Sequence, residues 1–265
     1  MLNADLLRRR LEERGTSIEL LVPPETGSTN NDAKEYAKTG PKNPVLFAAD
    51  RQTAGRGRQG KTFVSPPGGL YMSLLLPADL PDSGAVGVTG CAAVAACRAV
   101  EECASLPARI KWVNDVLIPL DPPDGYGKAA GILCERVETT AGGYLVIGIG
   151  VNVGSAPLVE GANFPPAALS RPEHPVEPEA LCASLTDALL SFARDGFRFS
   201  AAIEEYRARS IVLGREIAFV RNGVSRSGIV RAIGDDGSLL TDTADGPVRL
   251  DSGEISVRLA PRASQ

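Results

Sequence analysis

Between Gln52 and Thr62 the chain reads Gln-Thr-Ala-Gly-Arg-Gly-Arg-Gln-Gly-Lys-Thr, with three glycines (Gly55, Gly57, Gly60) and three cations (Arg56, Arg58, Lys61) inside seven residues. Glycines let a backbone approach a ligand closely, and guanidinium and ammonium groups bind oxyanions. The chemistry that suits such a loop is capture of a carboxylate, a phosphate, or both. Two phosphate-binding patterns fit the same letters: Gly55, Gly57 and Gly60 spell GxGxxG, and Gly55 to Thr62 spell GxxxxGKT. Both require a helix directly after the loop, because its N-terminus holds the phosphates. Here Phe63-Val-Ser-Pro-Pro-Gly-Gly follows, and Pro66 to Gly69 stop a helix. The loop is read as an anion cradle of another kind; the alternative is a solvated loop whose arginines only keep it soluble.

The elements that must position this loop follow from periodicity. Leu2–Arg14 carries Leu6, Leu7 and Leu11 on one helical face and ends at Gly15. Ser17–Val22 reads as a strand, and a short helix runs from Ser28-Thr-Asn-Asn-Asp through Lys38. Val45–Asp50 and Leu70–Leu76 have the texture of buried strands, and Gly84–Cys103 that of an alanine-rich helix. Strands are expected at Ala108–Trp112, Lys128–Val137 and Tyr144–Val151, a surface loop at Pro119–Gly127, a proline-rich crossing at Gly154–Pro178 and a helix at Glu179–Arg194. After Gly214 come short strands: Arg215–Val220, Arg226–Ile233, Ser238–Thr241, Pro247–Leu250 and Glu254–Leu259. Asn222-Gly223, Asp236-Gly237 and Asp245-Gly246 separate them, and such pairs favour hairpins because both turn residues need positive φ. The expected fold class is α/β (α+β), with helices and strands intermixed over residues 1–212 and a small β-barrel-like domain over 213–265.

Bulk properties narrow the function. A net charge of −4 argues against a general nucleic-acid binder, and no apolar run reaches the ~18 residues of a membrane span. The N-terminus lacks the apolar stretch of a signal peptide. The five cysteines (Cys91, Cys97, Cys103, Cys134, Cys182) form no CxxC pair and are odd in number, which fits a reducing cytoplasm better than a disulfide framework. The lone His174 has no second histidine for a metal site or a Ser/His/Asp triad and is read as solvent-exposed; metal ligands are unknown.

Six segments, in order over about residues 26 to 258, resemble the biotin–protein ligases. Ser28-Thr29-Asn30 matches their STN. Gly55-Arg-Gly-Arg-Gln-Gly-Lys61 with Phe63 and Ser65-Pro66 matches a GRGRxGR loop followed by an aromatic residue and Ser-Pro. Lys111-Trp-Val-Asn-Asp115 matches KWPND, Lys128-Ala-Ala-Gly-Ile-Leu-Cys-Glu135 matches KxxGILxE, Ile147-Gly-Ile-Gly-Val-Asn152 matches IGxGxN, and Gly253 to Arg258 match GEISxR. Departures are Val113 for proline, Phe63 for tryptophan, Lys61 for arginine, and a longer loop between Asp115 and Lys128.

The resemblance implies a mixed-sheet catalytic domain followed by an SH3-like barrel. It implies ATP and biotin as substrates, Mg2+ with the ATP, biotinyl-5′-AMP as intermediate, and the lysine of a biotin carboxyl carrier protein as acceptor. Lys128, Arg58 and Lys61 are the implied catalytic cations. Ser28, Thr29, Asn30, Gln52, Gly55, Arg56, Gly57, Lys128 and Gly131 are implied for biotin, with Ser28, Thr29 and Gln52 on its ureido ring and Arg56 facing its carboxylate. Arg58, Lys61, Phe63, Asn114, Asp115, Asn152 and Arg258 are implied for ATP and the adenylate, with Phe63 against adenine and Asp115 orienting Lys128 or magnesium. Trp112 is read as core. Lipoate or octanoyl ligases share the architecture, but their substrates lack the ureido group. The roughly 25 residues before Gly27 are too few for the DNA-binding domain some members carry, so a single-function enzyme without a nucleic-acid or membrane partner is expected. Monomer and homodimer both stay open.

Overall fold

Strands buried on both faces must be apolar on both, and the central runs here are. They assemble into a mixed seven-stranded sheet in the computed structural model, which describes residues 2–77, 85–120, 125–221, 223–251 and 258–259. In chain order the elements are α1 (Ala4–Glu13), β1 (Glu19–Leu21), α2 (Thr29–Ala37), β2 (Val45–Ala49), β3 (Leu70–Pro77), α3 (Ala85–Ala104), β4 (Arg109–Lys111), β5 (Asp115–Pro119), β6 (Tyr126–Thr139), β7 (Gly142–Val151), α4 (Pro178–Arg194) and α5 (Ile203–Arg209). The sheet order is β1-β2-β3-β7-β6-β5-β4, with β1 and β2 parallel and the remaining neighbours antiparallel.

Side-chain alternation sorts the two faces. Leu70, Met72, Leu74 and Leu76 of β3, with Ile147, Ile149 and Val151 of β7, join the main core beneath α3 and α4. The opposite face carries Leu75, Tyr144 and Val146, which pack with Ala33 and Ala37 of α2. That face also carries small or polar residues: Ser73 on β3, and Gly148 and Gly150 on β7. The site lies on this thinner side, where one short helix leaves part of the sheet uncovered.

β8 (Glu216–Arg221), β9 (Val224–Ile233), β10 (Leu239–Thr243), β11 (Gly246–Leu250) and β12 (Arg258–Leu259) form a five-stranded antiparallel sheet in the order β11-β10-β9-β8-β12. Gly223, Gly237 and Gly246 take φ of 75°, 82° and 111°, but Asp236 and Asp245 do not share the positive φ expected of both members of a pair. Gly246 already pairs with Thr243, so that turn is Ala244-Asp245.

Some expectations needed correction. Pro119–Gly127 is not all loop. Asp115–Pro119 is a strand, and β6 begins at Tyr126, opposite Pro119; residues 121–124 lie outside the described ones. Pro119 is tolerated because it ends a strand rather than interrupting one. The short helix α5 had not been expected. Of the strand expected at Glu254–Leu259, only Arg258–Leu259 is described. No helix follows the glycine–arginine loop: Leu70, the next regular position, opens β3. Cys91, Cys97 and Cys182 are buried, and burial pushes their thiols up to about 12. No helix among the described residues is long and apolar enough to cross a membrane.

Candidate active site

The glycine–arginine loop folds back on itself. Gly57 N–H donates to Lys61 O at 2.7 Å and Phe63 N–H to Gly55 O at 2.9 Å, around one 3-10 turn at Arg58–Gly60. Gln59 and Gly60 take positive φ of 55° and 72° at its tip. The base is stitched to the start of α2: Thr53 and Ala54 N–H donate to Thr26 and Gly27 O, and Gln52 N–H donates to Ser65 O. Gly55 is buried at this closure and outside the cavity lining. A Cβ there would come within 2.3 Å of Phe63 O and 2.4 Å of Ser65 Oγ, so the backbone crossing itself requires glycine.

Under this hairpin lies one cavity with two chemically different ends. At the first, Ser28, Thr29, Asn30 and Gln52 line the wall. Ser28 occupies the N-cap of α2, but its hydroxyl makes no capping bond. The Thr29 N–H is satisfied by Gln52 Oε1 at 2.9 Å, while Gln52 Nε2 donates to Ser65 Oγ at 2.9 Å. These groups converge because α2 starts directly above Ser73 of β3.

At the second end, cations cluster. Lys128 Nζ sits 2.7 Å from Asp115 Oδ1, and Lys111 Nζ 3.3 Å from Asp115 Oδ2. Burial pushes the Asp115 carboxyl up, but Lys128 and Lys111 outweigh it and hold the group below its ordinary value. It is the one carboxylate lining the cavity among the described residues. Arg58 reaches Asn114 Oδ1 at 3.3 Å, and Asn114 Nδ2 donates to Ile132 O at 3.1 Å. Burial lowers Arg58 from its ordinary value while Asp115 opposes that shift. Lys61 lines the exposed mouth.

Phe63 lies on a glycine floor. A Cβ on Gly150 would come within 2.5 Å of its ring and one on Gly131 within 2.9 Å. Its edge meets Tyr71 at a centroid distance of 6.4 Å, and Lys128 Nζ is 5.7 Å from its centroid. Arg56 turns toward α2, with contacts to Asn31 Oδ1 at 3.0 Å and Glu135 Oε1 at 3.2 Å.

Of the expected residues, Gly55 and Asn152 lie outside the cavity wall, and the side chain of Arg258 is not among the described ones. Asn152 is buried behind the wall: its Nδ2 donates to Lys128 O at 3.0 Å, and its Oδ1 has no partner among the described residues. The backbone of Arg258 pairs with Ala218. Trp112 is 4% exposed and packs in the core, but it also lines the cavity, and its Nε1 donates to Gly237 O in the β9–β10 connection at 2.8 Å. His174 is exposed. Lys111, Gly148 and Gly150 line the cavity without having been singled out. The first belongs to Lys111–Asp115 and the others to Ile147–Asn152, so the motifs contained them. No cluster of three His, Cys, Asp or Glu able to hold a metal occurs among the described residues.

A mixed sheet bearing a hairpin-capped cavity, polar at one end and cationic at the other, and followed by an antiparallel module, defines a class of ligase fold. Residues 22–152 match the biotin/lipoate A/B protein ligase family, and residues 212–258 match the biotin protein ligase C-terminal domain. The biotin–acetyl-CoA-carboxylase ligase of Paracoccus denitrificans is 35% identical over 231 residues, covering 81% of this chain and 90% of that protein. A bifunctional ligase/repressor BirA of Bacillus subtilis is 39% identical over 132 residues, covering 49% of this chain and 39% of that protein. The chain thus spans about two fifths of the length of this Bacillus relative. A solved biotin protein ligase from Aquifex aeolicus, in complex with biotin and ATP, superposes with a TM-score of 0.72 at 25% identity, covering 91% of this chain and 99% of that one. The chain belongs to the biotin/lipoate protein ligase family, among the biotin–protein ligases.

Proposed function

We propose that this protein adenylates biotin with ATP and transfers the biotinyl group to a lysine of a carrier domain. In the first step the biotin carboxylate attacks the α-phosphorus and pyrophosphate leaves, giving biotinyl-5′-AMP. In the second, the carrier lysine amine attacks the mixed anhydride, forming the amide and expelling AMP. The observation that carries this reading is the division of one cavity into an uncharged polar end and a cationic end. A ureido ring needs hydrogen-bond partners once desolvated, and Ser28, Thr29 and Gln52 are the candidates. The carboxylate and α-phosphate need cations, for which Lys128 and Arg58 are the candidates, with Arg56 and Lys61 at the mouth. Catalysis rests on positioning and electrostatics, with no enzyme nucleophile.

Gly55 serves by closing the hairpin, while Gly57 and Gly131 give the ligand close backbone approach. Phe63 and Asn114 border the nucleotide end, and Asn152 supports it from behind by holding the Lys128 carbonyl. Arg258 would come from the C-terminal domain. Magnesium enters as the ATP complex, since Asp115 is already committed to two lysines. The relatives' names support a biotin carboxyl carrier domain as acceptor. Residues 1–212 form the catalytic domain, and 213–265 an SH3-like barrel. Five free cysteines support a reducing, cytoplasmic setting, and monomer and homodimer both suit the fold. Biotin-dependent ATP–pyrophosphate exchange tests the reading. Exchange with biotin but not lipoate is expected; exchange with lipoate alone would reassign the substrate.

A further inference from the structure

Lys111 lines the cavity and has no part in the chemistry above. It stands directly opposite Asp115 in the register of β4 and β5, and its Nζ lies 3.3 Å from Asp115 Oδ2. Directly opposed residues share a face of the sheet, so the backbone ladder itself holds this pair together. Lys128 comes to the other oxygen from the far side. In β6 the residue opposite Asp115 is Gly131, so no side chain stands between the carboxylate and the Lys128 ammonium, which meets Asp115 Oδ1 at 2.7 Å.

The two lysines are not equivalent. The Lys111 side chain is 13% exposed and that of Lys128 30%, and Lys128 is the one beside the Phe63 ring. Lys111 is thus the inner partner of Asp115 and Lys128 the outer one. Asp115 is held below its ordinary value, so it is charged at neutral pH. One lysine beside it would make a neutral pair, whose field dies away as that of a dipole. Two lysines leave one positive charge over, in a partly desolvated site where charges act more strongly than in water. Arg58, held at Asn114 Oδ1 3.3 Å away, adds its own charge but does not restore the one at Lys128.

We propose that Lys111 is a positioning residue acting through Asp115: it supplies the counter-charge of that carboxylate, so that Asp115 orients the Lys128 ammonium without cancelling it, and an anionic ligand is favoured over an uncharged one. This rests on the assignment of the cationic end to the biotin carboxylate and the α-phosphate, and it names what keeps that end cationic. Lys111 need not touch the ligand. Its removal acts on the charge of the cluster, and so on the anionic part of the ligand alone.

The test is calorimetric binding of biotin and of biotinol, in which an alcohol replaces the carboxylate, to the full chain, alongside biotin-dependent pyrophosphate exchange. Lys111→Met keeps the stem of the side chain and removes its charge. It should weaken biotin about tenfold more than biotinol and slow exchange by a similar factor. Lys111→Arg keeps the charge and should hold both within about threefold of native. Adding Asp115→Asn to Lys111→Met removes the carboxylate that has lost its counter-charge, so the double variant should bind biotin more tightly than Lys111→Met does; two independent ligand contacts would instead lose affinity additively. If Lys111→Met fails to fold, Lys111→Gln, whose amide still donates to Asp115, carries the same expectations. A folded variant that discriminates biotin from biotinol as the native protein does, or a double variant that binds biotin more weakly than the single one, overturns the role of Lys111 alone. A native protein without biotin-dependent exchange overturns the adenylation reading together with it.

Discussion

Lys128→Ala separates charge from scaffold. Lys128 stands 2.7 Å from Asp115, near the backbone that Asn152 anchors, and its ammonium faces the cavity beside Phe63. Removing one preorganised donor to a developing oxyanion costs about 3 kcal/mol, or roughly a hundredfold in rate. The structural cost is smaller. The pair with Asp115 is 30% and 15% exposed on its two sides, and Asp115 keeps Lys111 at 3.3 Å. Such a pair contributes about 1 kcal/mol or less, which for a chain of this size moves Tm by about 3 °C. Biotin-dependent pyrophosphate exchange should therefore collapse in a protein that melts almost where the native one does. Lys128→Arg, which restores charge with a different geometry, should recover part of the rate. An alanine variant keeping more than about a third of native exchange refutes the assignment of Lys128. A large fall in Tm refutes the division between chemistry and scaffold.

Gly150→Ala drives a methyl into the Phe63 ring. Stability should fall by about 1–3 kcal/mol, and calorimetry should show weakened biotin binding because the cavity wall shifts. Trp112→Phe strips the buried Gly237 carbonyl of its donor. The urea midpoint followed by circular dichroism should drop by the equivalent of about 1–3 kcal/mol, and an unchanged midpoint would show that the contact between sheets is idle. Asp115 and Glu135 are both depressed, so each contributes stability that is fully present above its unfolded value and is lost as pH falls through the lower folded one. Native stability should be insensitive to these groups above their ordinary values of 3.8 and 4.5, and erode below them. In Glu135→Gln that acid-side loss should shrink; an identical profile would show that Glu135 is not coupled to folding.

The sequence by itself determined the chemistry on offer. Glycines and cations between Gly55 and Lys61 suit an anion, the prolines after Phe63 excluded a phosphate-binding helix, and apolar runs at Val45 and Leu70 meant buried strands. Asn-Gly and Asp-Gly pairs marked the C-terminal hairpins because backbone conformation at a turn is a local property. Asp115–Pro119 escaped because it is short and ends in proline, and it becomes a strand through pairing with β6, which local propensity cannot report. The tertiary structure alone decided partnership. It set Asp115 between two lysines, seated Phe63 on Gly131 and Gly150, turned Arg56 toward Glu135, and put Asn152 behind the wall rather than in it. Hydrogen bonds and ion pairs depend on ångström distances between groups far apart in the chain, 105 residues for Asn30 and Glu135, and those distances exist only once the sheet register has closed.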